Sequence, residues 1–146
     1  MSNDNSTNNQ IAEKIQQWII EEDDIWKFQK ISQDEIFLNI QLQSLNERNI
    51  HVLMDAIHDR VLLTATMNPT EQQRKALSLQ LVKEKKRFRA NLLLMLYQKG
   101  INASVSGKQE DKIEEIRMEN VVYFNGLTKC RLFDLVFLIL RGIESI

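Results

Sequence analysis

The spacing of apolar residues changes period along the first third of the chain. Ile11, Ile15, Trp18 and Ile19 fall three and four apart, which puts them on one face of a helix. Thr7-x-x-Gln10 precedes them and offers a capping box, in which a hydroxyl and an amide three residues on satisfy each other's backbone N–H groups. The helix is expected to run to about Glu22, because Glu21 to Asp24 gather negative charge at the helix end that disfavours it. From Ile25 the period becomes two. Ile36, Leu38, Ile40 and Leu42 alternate with Phe37, Asn39 and Gln41, as a half-buried strand requires. Ile25 to Ile31 reads as a preceding strand that turns at Ser32-Gln33-Asp34, and Asn46 to Asn49 forms a following polar turn.

Between Ile50 and Met67 the positions Ile50, Leu53, Met54, Ile57 and Val61 also suit a helix. Val61, Leu63, Ala65 and Met67 alternate with Leu62, Thr64 and Thr66, while Asp55 to Arg60 holds turn-forming residues, so two strands are the reading adopted. A helix start follows, with Asn68 as N-cap, Pro69 at the first helical position and Glu71 completing Asn-x-x-Glu. The pattern continues to Lys99 and stops at Gly100, a length that predicts a break near Ser78. Leu77, Leu81, Phe88, Leu92, Met95 and Leu96 form its apolar stripe. Ile101, Ala103 and Val105 lead into a loop at Gly107 to Lys112, and Ile116, Met118, Val122 and Phe124 lead to Asn125-Gly126, which gives two more strands. Thr128 then caps a last helix from Lys129 to about Ile143, with Leu132, Leu135, Val136, Ile139, Leu140 and Ile143 on one face.

These elements describe an α+β fold: an antiparallel curved sheet of about five to six strands packed with helices, in the order α-β-β-β-β-α-β-β-α. Residues 1–9 are Asn/Ser-rich and are read as a disordered polar tail, and residues 10–146 as a single α+β domain. No repeat or Pro/Gly-rich linker divides the chain. A formal net charge of -1 gives no global attraction to phosphate backbones or anionic lipid. The lone cysteine, Cys130, forms no internal disulfide, which points to a reducing, cytoplasmic setting. Leu132 to Leu140, the most apolar stretch, carries Asp134 and is far shorter than the roughly 20 residues that cross a bilayer.

Candidate chemistry is sparse. His51, Asp55 and His58 are spaced to share one side of a helix and are suitable zinc or iron ligands. In a strand-turn-strand segment they diverge, so no metal site is assigned. Cys130 lies near a helix start, where a thiol pKa can fall, but no base accompanies it in the pattern and a plain thiol is the simpler reading. Adjacent carboxylates such as Glu21-Glu22 and Glu114-Glu115 read as solvated, and no glycine-rich phosphate loop occurs. No catalytic residue and no cofactor is expected. The run Lys83, Lys85, Lys86, Arg87 and Arg89 is interrupted by Glu84 and reads first as a solvated helix face, second as a nucleic-acid contact.

What remains is apolar surface. Leu92 to Tyr97 is apolar all round its helix, as is much of Leu132 to Leu140, and one sheet face cannot shelter every side of both. A buried Leu or Phe contributes about 1.5–3 kcal/mol, so the surplus is either enclosed in a larger core or forms a homodimer or partner interface. Phe88, Leu92, Leu93 and Met95 are the expected interface residues.

Three segments carry a resemblance: Ile50-His51-Val52-Leu53, then Arg60-Val61-Leu62-Leu63 to Asn68-Pro69-Thr70-Glu71, then Val122-Tyr123-Phe124-Asn125-Gly126-Leu127-Thr128. They resemble an uncharacterised archaeal domain family with the fold of class I type III secretion chaperones, and the similarity runs from Ile11 to Ile143. Four strands precede the long helix here, where those chaperones usually have three. The resemblance implies a homodimer built by the long helix, with an extended client held along the sheet, on the Phe88 to Leu96 stripe and the strand edges. The expectation is therefore a non-enzymatic, chaperone-like protein-interaction domain with a protein or peptide partner. The alternative is a nucleic-acid-associated accessory protein using residues 83–89, and a metal-dependent enzyme comes third.

Overall fold

A computed structural model describes residues 3–45, 47–106 and 115–146, with side chains from Thr7 onward apart from that of Val82. Helix α1 (Asn3–Glu21) leads into strands β1 (Lys27–Gln33), β2 (Phe37–Gln43), β3 (Asn49–Asp55) and β4 (Arg60–Met67). Helices α2 (Glu71–Ser78) and α3 (Val82–Gln98) come next, then β5 (Asn102–Ser106), β6 (Glu115–Tyr123), a single 3-10 turn at Phe124–Gly126, and α4 (Lys129–Glu144). The six strands form one antiparallel sheet in the order β1-β2-β3-β4-β6-β5. This is the α+β architecture and element order expected, with the long helix broken after Ser78. The anticipated Gly107 to Lys112 loop falls outside the described residues.

Alternation decides which sheet face is buried. Leu38, Ile40 and Leu42 on β2, Ile50, Val52 and Met54 on β3, and Val61, Leu63 and Ala65 on β4 are all buried. So are Ile116, Met118 and Val122 on β6. Pairing sets them in rows, with Ile40 opposite Val52 and Val52 opposite Leu63. Ala12, Ile15 and Ile19 of α1 and Leu132, Leu135, Val136, Ile139 and Ile143 of α4 join the same core, with α4 crossing β3, β4 and β6. Asn120 is a polar member of that layer, placed opposite Leu63. With its amide nitrogen turned toward them, it donates to the carbonyls of Gly100 (3.2 Å) and Glu119 (2.8 Å), which ties the end of α3 to β6.

Three boundaries differ from the sequence reading. Residues 3–9, expected as a disordered tail, continue α1 toward its N-terminus; no Gly or Pro interrupts them, and adding a residue to an existing helix costs far less than nucleating one. The cap of α2 is Thr70, not Asn68: Thr70 Oγ1 accepts from Gln73 N (3.1 Å) while Gln73 Oε1 accepts from Thr70 N (2.9 Å). Thr-x-x-Gln competes with Asn-x-x-Glu two residues away, and Pro69 stays buried ahead of the helix. Ser32 and Gln33, expected in a turn, are paired in β1 beyond an irregularity at Ile31.

Candidate functional site

Helix α2 has its cap but no buried residue, and Leu79, in the break that follows, is 88% exposed. Leu81 is 71% exposed and Phe88 is 43% exposed. Further along α3 the helix turns inward, so Leu92 and Leu96 are buried in the core while Leu93 and Met95 pack partly against it. Of the four expected interface residues, Phe88 is thus offered to solvent, Leu93 and Met95 are half-buried, and Leu92 belongs to the interior. Leu94 and Tyr97, part of the apolar run but not among those four, are exposed. The stripe Leu77, Leu81, Phe88, Leu92 therefore does not form one inner face: Leu77 packs partly against the core and Leu92 is buried in it, while Leu81 and Phe88 between them are exposed.

The inner half of α3 lies along β5. Tyr97 Oη donates to the carbonyl of Ala103 (3.0 Å), and Arg89 Nη2 to that of Val105 (2.8 Å). Two carbonyls of this edge strand are thereby taken by side chains, which blunts it against pairing with another strand. Strand β1, at the opposite edge, is exposed at all seven positions and carries Phe28 and Ile31. Among the described residues no side chain binds its backbone. On the sheet face away from α1 and α4, Leu53, Leu62 and Val121 stand in one cross-strand row and are half-buried.

The other candidates separate. His51 Nδ1 lies 3.2 Å from Asn39 Oδ1 on β2, whereas His58 Nδ1 donates to Asp55 Oδ2 at 2.7 Å across the β3–β4 turn. Asp55 Oδ2 also accepts from Arg60 Nε (3.3 Å), and its Oδ1 accepts from Ile57 N (3.1 Å). Desolvation raises the Asp55 pKa, but hydrogen bonds from His58 and Arg60 outweigh it and hold the carboxyl below its ordinary value. The carboxylate fastens a turn in which Asp59 has a φ of 51°. A concavity of about 1020 Å³ adjoins it, bordered by Ile11, His58, Asp59 and Tyr123, and among the described residues no three His, Cys, Asp or Glu side chains converge as a metal site would need.

Cys130 is exposed, with Asp134 Oδ2 3.9 Å from its Sγ. Lys83, Lys86 and Arg87 are exposed on α3, while Lys85 and Arg89 are half-buried. Glu21 and Glu22, read as solvated, instead hold Lys129 at 2.7 and 3.0 Å and so join the end of α1 to the start of α4. The hydrogen bond from Lys129 lowers the Glu21 pKa, and those to Glu21 and Glu22 raise that of Lys129. No local signal marks a pair separated by more than 100 positions, and the same holds for the α3 side chains that cap β5.

A family model described as an uncharacterized conserved protein (DUF2299) matches residues 11–146. No curated protein matches the chain. Two solved structures share its fold. An uncharacterized protein from Methanothermobacter thermautotrophicus superposes with a TM-score of 0.80 at 16% identity, over 91% of each chain. YbjN from E. coli, proposed to be a transcription regulator, superposes with a TM-score of 0.56 at 14% identity, over 92% of this chain and 86% of that one. No helix among the described residues is long and apolar enough to cross a membrane.

Proposed function

Since the chain belongs to the DUF2299 family of uncharacterized conserved proteins, and Leu79 and Leu81 between α2 and α3 are exposed together with Phe88, Leu94 and Tyr97 of α3, we propose that it is a non-enzymatic protein-interaction domain. In this reading it pairs with a second copy through Leu81, Phe88, Leu93 and Met95, and it takes an extended client in a chaperone-like manner along the free edge of β1. The observation that carries the reading is the contrast along α3 and the break before it: Leu92 and Leu96 are buried while Leu79, Leu81 and Phe88 are not. Large apolar side chains grouped on a short arm are a recurrent mark of an association surface. The contrast between edges supports the second part, because β5 is covered by α3 and β1 is open to an added strand.

Light scattering behind size exclusion tests the pairing. A mass near twice 17.2 kDa is expected, falling to that of one chain in the Leu81→Asp, Phe88→Asp double variant, whose exposed positions leave the core intact. A concentration-independent 17.2 kDa for the unaltered protein overturns the pairing.

A second reading rests on Lys83, Lys86 and Arg87, which project from the exposed part of α3, and on the regulator role proposed for YbjN. It makes the protein a nucleic-acid-associated accessory factor. Binding of a generic duplex that weakens steeply with salt would favour it over the first, and no shift at low salt would remove it.

A further inference from the structure

Residues 27–33 of β1 make no backbone hydrogen bond beyond their pairing with β2 among the described residues. Such an edge presents a row of unpaired N–H and C=O groups, which a second extended peptide fills as a ladder and a phosphate backbone does not. The side chains along it are not neutral. Lys27 and Lys30 are its charged residues, and all seven positions are exposed. Lys30 Nζ donates to Gln33 Oε1 (3.0 Å), an uncharged partner, and among the described residues neither lysine meets a carboxylate. Their cross-strand neighbours on β2, Gln43 and Ile40, carry no charge either.

Register sets the two charges on opposite faces. Lys30 stands opposite Ile40 and Phe28 opposite Leu42, both buried, so Lys30 and Phe28 share the face that carries the core. Lys27, opposite half-buried Gln43, belongs to the other face. Pairing with β2 is regular from Lys27 to Lys30 and slips at Ile31, so these four positions fix the register of anything added beside them. Negative charge lies beyond the strand's ends, at Asp23 and Asp24 before it and Asp34 and Glu35 after it. Asp34 is already tied to the N–H groups of Ile36 (2.8 Å) and Phe37 (2.7 Å). The positive stretch is therefore short and central. A second copy of β1 suits it poorly: antiparallel pairing over the whole strand sets Lys30, the middle residue, against Lys30, and like charges directly opposite destabilise a pair.

On the premise that β1 is the client edge, as proposed above, we infer that the client is an extended peptide with two carboxylates, one opposite Lys30 and one opposite Lys27, and an apolar residue opposite Phe28. It lies antiparallel, like every other pair in the sheet. Along the client the pattern is acid-x-apolar-acid. The apolar residue carries the core-side layer one strand further, over Phe28, which is 44% exposed. Each carboxylate meets an ammonium group across the new ladder, one on either face.

Fluorescein-labelled Thr-Val-Glu-Thr-Val-Glu-Thr-Val, followed by anisotropy at low salt, is the probe. It is expected to bind about fivefold more tightly than the same peptide with Gln for both Glu, since exposed ion pairs contribute modestly, and the gap should close in high salt. Thr-Val-Glu-Thr-Glu-Val-Thr-Val has the same composition but sets both carboxylates on one face, and should bind about threefold more weakly than the probe. The double variant Lys27→Gln, Lys30→Gln, altered only at exposed positions, should bind the Glu and Gln peptides equally. In ¹⁵N-labelled protein the amides of residues 27–33 should shift as the probe is added. Equal affinity of the unaltered protein for any two of the three peptides, or a preference for Glu over Gln that survives in the double variant, overturns the inference and leaves the client edge standing. Binding of no peptide, or binding that leaves the amides of residues 27–33 unmoved, overturns the client edge and the inference with it.

Discussion

Asp55 shows how much a single carboxylate can organise. Its two oxygens accept from Ile57 N, His58 Nδ1 and Arg60 Nε, and together these bonds fix the reversal between β3 and β4. The folded-state pKa lies below the ordinary 3.8, so the bonds contribute stability that is fully present above that value and lost as pH falls through the lowered one. Asp55→Asn keeps one acceptor oxygen and turns an N–H₂ group either toward both His58 and Arg60 or toward Ile57 N. It is expected to lower stability by about 1–2 kcal/mol at neutral pH, with the difference from the unaltered protein shrinking as pH drops below about 4. Urea unfolding of both proteins across that range checks it; a difference that persists undiminished at low pH would show that the carboxylate charge is not what matters. The trio His51, Asp55 and His58 was visible in the sequence as a spacing, and the expectation that a strand-turn-strand segment would part them holds for His51. The pairing of Asp55 with His58 and Arg60 was not legible, because it depends on how four turn residues coil back on themselves, including the positive φ of Asp59.

Among the elements, those whose apolar residues alternate over a buried sheet face were legible: β2, β3, β4 and α4 fall within a few residues of where the pattern placed them. Helix α3 was half legible. Its apolar residues predict an inner face along its whole length, yet its apolar side chains enter the core only from Leu92 onward, with Arg89 one turn earlier already reaching β5; what lies beneath a helix is a tertiary fact that periodicity does not encode. Helix α2 is the extreme case. Eight residues make only a marginal helix in water, and with none of them buried the capping box at Thr70 is its main local support. Its amides are therefore expected to exchange at least about a hundredfold faster than those of β4 in dilute protein. At concentrations where copies pair, residues 71–88 should gain protection. Hydrogen exchange followed by mass spectrometry at two concentrations reads both effects, and strong protection of α2 in dilute protein would mean that its stability has another source.

At the scale of the molecule, α4 links regions far apart in sequence. Near its start Lys129 is held by Glu21 and Glu22 of the α1 end, in its middle Phe137 meets Trp26, and near its end Gly142 faces residues around α3 and β6. A Cβ at position 142 would come within 2.5 Å of Ile101 Cδ1, 3.4 Å of Leu96 Cδ2 and 3.5 Å of Met118 Sδ. Gly142 falls in the last turn of α4, where a glycine ordinarily marks a helix exit; the structure gives it a packing role that only the approach of the other chain segments reveals. Gly142→Leu overfills that contact and is expected to destabilise the fold by about 2 kcal/mol. If residues 10–146 act as one cooperative unit, the loss will appear equally in tryptophan fluorescence, which senses the Trp26–Phe137 contact one turn and more away, and in far-ultraviolet circular dichroism, with the denaturant slope unchanged. Transitions that separate in the variant would mean that the α3–β5 side can come apart while the α1–β1 side holds, and that the six-stranded sheet shelters two cores where a single one is expected.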